Sequence, residues 1–273
     1  MAGLSMNELT TFRWSFEEDV YHYRSVGIDA IGVWRQKLSD FGEDKGIELL
    51  SESGLAVSAL LWAGGFTGSD GLSYRDSLED AREAIALAGD LRAGCLIVYS
   101  GARGGHTRNH ARRLFRSALQ ELAPLAGEHG VCLAIEPMHA DCSSDWTFLT
   151  GFEDTLELMH SVDSPHIRLA FDAYHLAQDD AILERLPELV PYLALVQLGD
   201  ARRPPEGEQN RCRLGEGFVP LRQIAQILQT AGYDGYYDVE LLGEDLDNRD
   251  YAELIAHSKR AYDQLFGSQA VDC

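Results

Sequence analysis

Residues 126–137 read AGEHGVCLAIEP. The first part closes an amphipathic helix, since RRLFRSALQELAPLAGEHG, from Arg112, repeats apolar residues every three or four positions. Gly130 suits the residue just past a helix, where φ turns positive and a Cβ is penalised. The run that follows, Cys132 to Glu136, is short and apolar, as strands buried on both faces are. It ends on an acid, Glu136.

The same unit recurs along the chain: YRSVGIDAIGVW from Tyr23, LSESGLAVSALLW from Leu50, LRAGCLIVYSG from Leu91 and LQTAGYDGYYDVEL from Leu228. Gly27, Gly54, Gly94 and Gly232 take the place of Gly130. Helix starts are expected where a hydroxyl residue precedes an acid by three: Ser15 with Glu18, Ser77 with Asp80, Thr150 with Glu153. Eight apolar runs result: Leu9–Trp14, Ala30–Trp34, Ala56–Trp62, Cys95–Tyr99, Cys132–Glu136, Ile167–Asp172, Leu193–Leu198 and Tyr236–Leu241. Each is followed by a helical pattern. Strict β/α alternation predicts a parallel sheet, and eight repeats in 273 residues predict one closed (β/α)8 TIM barrel, a single α/β domain over 1–273. A doubly wound open sheet is weaker, because no G-x-G-x-x-G follows the first strand.

The bulk numbers exclude several roles. A formal net charge of −21 repels nucleic acid and anionic membranes. The five cysteines, Cys95, Cys132, Cys142, Cys212 and Cys273, lack a C-x-x-C pair, against a disulfide frame or zinc ribbon. The opening MAGLSMNELTTFRWSFEEDV has no apolar segment of signal-peptide type and no run spans a bilayer, so a cytoplasmic protein is expected.

Four successive strands end on oxygen-bearing side chains: Glu136, Asp172, Gln197 and Glu240. Strand C-termini of a parallel barrel open on one face, so these four line half of its mouth. Carboxylates sharing such a site cannot all ionise freely, and a divalent cation removes the conflict. Oxygen donors suit Mn2+ or Mg2+, with Co2+ or Zn2+ as alternatives. Gln197 would then give its carbonyl oxygen to the metal and its NH2 to a neighbour.

Further candidates lie around this set. His139 follows the first acid and is a substrate-binding candidate. Trp34 and Trp62 end strands two and three, where they either wall a substrate face or pack in the core. The loop GARGGHTRNH from Gly101 is a candidate lid, with His106 solvated on it. One of Arg202 and Arg203 balances Asp200 or Glu216. By strand parity Asp238 and Arg168 both face inward and are expected to pair low in the barrel.

At these residues the chain resembles the xylose isomerase-like TIM barrel family, which includes ketose 3-epimerases, hydroxypyruvate isomerases and inosose isomerases and dehydratases. The likeness rests on Glu136-Pro137, Asp172 with His175, Gln197 with Arg203 and LGEG, and Glu240. The resemblance implies that Glu136, Asp172, Gln197 and Glu240 ligate one divalent metal, while His175 and Arg203 hold substrate oxygens. Glu136 and Glu240 would also move protons on opposite faces of a sugar or keto-polyol. It further implies a metal-stabilised enediolate and isomerisation or epimerisation, with a dehydratase or β-eliminating lyase as the alternative. A homodimer or homotetramer is a family-level expectation. Two departures stand out: Gln197 replaces the histidine of many members, and Cys142 replaces a glutamate of the ketose 3-epimerases. A sugar-binding barrel without turnover is the non-enzymatic reading; a DNA-repair nuclease is disfavoured by the acidic surface.

Overall fold

The computed structural model describes residues 3–177, 180–205, 210–244, 246 and 249–267. Its order is β1 (Leu4–Asn7), α1 (Phe16–Ser25), β2 (Ala30–Trp34), α2 (Arg35–Phe41), α3 (Glu43–Ser53), β3 (Ala56–Ala63), α4 (Tyr74–Asp90), β4 (Leu96–Val98) and α5 (Arg108–Glu128). There follow β5 (Leu133–Ile135), α6 (Phe152–Val162), β6 (Ile167–Asp172), α7 (Ala173–Leu176), α8 (Asp180–Leu189), β7 (Leu193–Leu198), α9 (Leu221–Thr230), β8 (Tyr237–Val239) and α10 (Tyr251–Phe266). All strands are parallel and β1 pairs with β8, so the sheet closes as an eight-stranded barrel. Cys273 lies outside the described residues, and the described cysteines form no disulfide. Among the described residues no helix is long and apolar enough to cross a membrane.

Seven strands fall where the apolar runs predict them, within a residue or two. The first does not. Leu4–Asn7 is the strand, and Glu8–Thr11, which overlaps the expected run Leu9–Trp14, is a 3-10 turn. The Asn7 side chain accepts the Leu9 N–H at 3.0 Å and starts that turn. A four-residue strand is too short to announce itself by period.

Of the expected caps, Ser15 and Glu18 form a full capping box on α1. Helix α4 begins a turn earlier than expected. Ser73 and Asp76 cap it, while Ser77 sits in its first turn and donates to the Gly65 carbonyl at 3.1 Å. Gly151, not Thr150, precedes α6, without a side-chain cap. Gly27, Gly54, Gly130 and Gly232 take positive φ after their helices. At the fifth site Arg92 takes that conformation instead, at φ 52°. Gly94 is needed for space: a Cβ there would lie 2.7 Å from the Ser58 carbonyl oxygen.

Two apolar layers hold the barrel. A large one fills the space between strands and helices, and a smaller plug of Ala59, Leu61, Cys95, Ile97, Ala134, Ala170 and Leu195 fills the interior. Against it, on the β8 side, the interior turns polar. Asp238 is fully buried and its Oδ2 accepts the Asn7 Nδ2–H at 2.9 Å. Gly32 leaves it room, because a Cβ would sit 3.0 Å from that oxygen.

The expected Arg168–Asp238 pair is not formed. Arg168 has the inward parity but lies at the bottom rim, exposed, donating to the Leu193 carbonyl at 3.3 Å. The apolar plug separates the two, and a charge at an open rim is cheaper hydrated than buried. Gly32→Val should overpack the layer around Asp238 and destabilise the protein by about 1–3 kcal/mol in urea unfolding.

Candidate functional site

The four strand-end groups meet at the mouth. Asp172 stands opposite Gln197, and Gln197 opposite Asp238, in the β6–β7–β8 register. Glu136 and Glu240 each lie one residue past a strand end. All four are buried.

Each carboxylate has its own partners. Tyr99 donates its hydroxyl to Glu136 Oε2 at 2.7 Å. Asp172 caps α7 by accepting the Tyr174 N–H at 2.7 Å. Glu240 Oε2 accepts from Gln197 Nε2 at 2.6 Å and from Asn7 Nδ2 at 3.2 Å.

The guanidinium in the site is Arg211. The expected Arg203 is exposed on the loop after β7. Arg211 is fully buried and donates to Asp172 Oδ1 at 3.2 Å, Asp172 Oδ2 at 2.8 Å and Glu240 Oε1 at 3.1 Å. Its head lies 4.4 Å from the centre of the Tyr174 ring. The backbone reverses to bring it there: Cys212 N–H bonds the Asp200 carbonyl at 2.8 Å, and Asn210 N–H bonds the Tyr174 hydroxyl at 2.9 Å. Asp200 is the anchor of this loop, accepting the N–H groups of Ala201, Gly215, Gly217 and Val219. Arg202 pairs with Glu216 at 2.6 Å. The seven residues between Arg203 and Arg211 hid the assignment; the nearness of Arg211 to LGEG was the available signal.

Electrostatics separate the acids. Burial, then the charges of Glu240 and Asp172, pushes Glu136 well above the usual carboxylate range. Burial lifts Glu240 to about 7 although Arg211 opposes it. Burial acts to raise Asp172 as well, but the Arg211 guanidinium outweighs it and leaves this carboxyl below its ordinary value. Burial lifts Asp238 to about 6.

His175 is buried, and burial holds its imidazole down to about 3, so it is neutral. Both its ring nitrogens lack a hydrogen-bond partner, and so does Gln197 Oε1. Buried polar atoms without partners are costly, and they mark a place for a further group. Atoms of Glu136, Asp172 and His175 lie within 4.8 Å of one another. Two carboxylates and an imidazole at this spacing fit a divalent cation, with the Gln197 oxygen unpartnered; Glu240 lies outside that group, bonded to Arg211, Gln197 and Asn7.

The outer candidates divide. Trp62 packs edge-on against Trp146 at 4.9 Å and faces Tyr99 at 6.2 Å, forming an aromatic wall beside Glu136. Trp34, like Trp62 and Tyr99, packs against the interior plug, and it takes no part in the aromatic wall. His139 is half-buried on the loop after β5, where its Nδ1 accepts the Asp141 N–H at 3.3 Å. His106 ties the loop after β4 to the Thr67 carbonyl at 3.1 Å.

Residues 20–261 match the profile of the family described as xylose isomerase-like TIM barrel. The chain belongs to that family. A curated relative is L-ribulose-5-phosphate 3-epimerase UlaE of Escherichia coli (strain K12), 28% identical over 174 residues, 61% of this chain and 56% of the relative. The chain thus spans little more than half the length of that family member. Among solved structures, protein SMc04130 from Sinorhizobium meliloti 1021 superposes with a TM-score of 0.89 at 26% identity, over 96% of this chain and 98% of the other. The IolI protein, solved with a binding zinc atom, superposes at 0.83 and 19% identity, over 97% and 98%.

Two outcomes follow from the buried charges. Arg211→Met leaves Asp172 and Glu240 without their cation, and should destabilise the metal-free protein by about 3–5 kcal/mol in urea unfolding. Asp238 and Glu240 hold their protons to about 6 and about 7 when folded, against ordinary carboxylate values near 4 when unfolded. The folded state therefore binds more protons in that window, and stability must fall as pH rises through it. Melting of the metal-free protein should give a lower Tm at pH 7.5 than at pH 5.

Proposed function

We propose that this protein is a divalent-metal-dependent isomerase or epimerase of sugars or keto-polyols that removes a proton next to a carbonyl. The observation that carries this reading is the mouth cluster: two carboxylates of raised proton affinity, Glu136 and Glu240, around the orphaned oxygen of Gln197 and ring nitrogens of His175. Relatedness to an epimerase over part of the chain supports it.

In this reading Glu136, Asp172, Gln197 and Glu240 hold the cation, with His175 close by. Bound there, Mn2+ or Mg2+ would polarise the substrate carbonyl and stabilise the negative charge left by proton loss. The protein's own groups do the rest. Glu136 and Glu240 act on opposite faces of the substrate carbon, one taking the proton and the other returning it. A carboxylate whose pKa is raised toward neutrality is a better base than an ordinary one. Tyr99 orients Glu136, while Gln197 and Asn7 orient Glu240. Arg211 and His175 hold substrate oxygens, Arg211 taking the role first expected of Arg203. Proton return to the same carbon inverts it; return to the neighbour moves the carbonyl.

Proton NMR in D2O tests this. Mn2+-loaded protein should place deuterium beside the carbonyl of a ketose or inosose while conserving substrate mass. Glu136→Gln and Glu240→Gln should each slow exchange by about 10²–10⁴-fold. Chelation should abolish it and Mn2+ restore it. No exchange across ketoses and inososes would sink the reading; loss of water would move it to a lyase.

A further inference from the structure

We propose that the substrate is an uncharged polyhydroxylated carbonyl compound, whose non-reacting end lies in the aromatic cleft beside Glu136, and that this cleft rejects phosphate esters. The inference rests on the isomerase reading and specifies what that site accepts.

The cleft has a volume of about 290 Å³ and is walled by Trp62, Tyr99 and Trp146. At roughly 30 Å³ per water, it has room for several hydroxylated carbons. It adjoins the reacting centre, since Tyr99 contributes its ring to the wall and its hydroxyl to Glu136. Trp146 is 36% exposed, so its ring is open to a ligand at the edge of the cleft. Aromatic faces with a few polar groups at the edge suit the C–H surfaces and hydroxyls of a polyol.

The charges point away from an anion. The cation lining the cleft is Arg35, against Asp70, Asp80 and Asp145. The end-on fork of Arg35 is taken: Nη1 donates to Asp80 Oδ2 and to the Trp62 carbonyl, both at 3.0 Å, and Nη2 donates to Asp80 Oδ1 at 2.9 Å, so its charge is already answered by a carboxylate. Phosphate is ordinarily held by a bidentate arginine or by open N–H groups at a helix start. At the adjacent start of α4, Ser73 and Asp76 cap each other's N–H groups and place a carboxylate there. A net charge of −21 adds long-range repulsion of a dianion.

The test compares matched ketoses and their terminal phosphate esters, including L-ribulose and L-ribulose 5-phosphate, by deuterium exchange with Mn2+-loaded protein. The free ketose of the best pair should show a kcat/KM at least about tenfold above its ester. Asp80→Asn, which releases Arg35, should narrow that ratio severalfold. Trp146→Ala should raise KM for the free ketose about tenfold with a smaller change in kcat. An ester used as well as, or better than, its free ketose overturns the proposal and leaves the isomerase reading intact. If no compound exchanges, the isomerase reading fails, and tryptophan-fluorescence titration of the metal-free protein still decides the cleft. Tighter binding of free ketose than ester, lost in Trp146→Ala, supports the proposal; tighter binding of the ester overturns it.

Discussion

The mouth of this barrel is organised by one constraint: three carboxylates are buried together and their charge must be answered. Arg211 answers part of it by gripping Asp172 and Glu240 at once. Glu136 is left with a phenol hydroxyl and a raised affinity for its proton. The remaining imbalance, together with the orphaned atoms of Gln197 and His175, makes the site fit a cation.

That arrangement draws on structure well away from the chemistry. Asn7, at the end of the short first strand, bridges Asp238 and Glu240 and fixes the acid on β8 from below. Gly32 on β2 leaves the volume that Asp238 fills. Asp200 gathers four backbone N–H groups and thereby shapes the loop that delivers Arg211. A second buried charge group, Lys37 with Asp19 and the neighbouring Glu8, braces the first turns of the chain against α2. Each device satisfies a polar group that would otherwise be stranded in a low-dielectric interior.

Much of the fold was legible, because buried parallel strands carry their signal in a few consecutive side chains. The strands from Ala30 onward appeared as apolar runs, five of them shortly after a glycine. The strand at Leu4–Asn7 was missed: its four residues, LSMN, show no period, and an apolar stretch after it was the better decoy. The start of α4 was misplaced by one turn because two serine–acid pairs overlap there, and only packing selects Ser73. The four strand-end oxygens could be named because they fall at fixed positions in the repeat. Arg211 could not, since a loop side chain reaches its target by a backbone path that residue spacing does not encode.

The sequence by itself determined the closed eight-fold repeat and the face on which Glu136, Asp172, Gln197 and Glu240 collect, since strand periodicity and parallel connection are local properties. The tertiary structure alone decided which arginine enters the cluster, why Arg168 stays at the rim, and that Trp146 joins Trp62 and Tyr99 beside Glu136. Those outcomes depend on how buried charge and aromatic surface find partners across distant segments, and such partners are chosen by three-dimensional proximity and desolvation rather than by order along the chain.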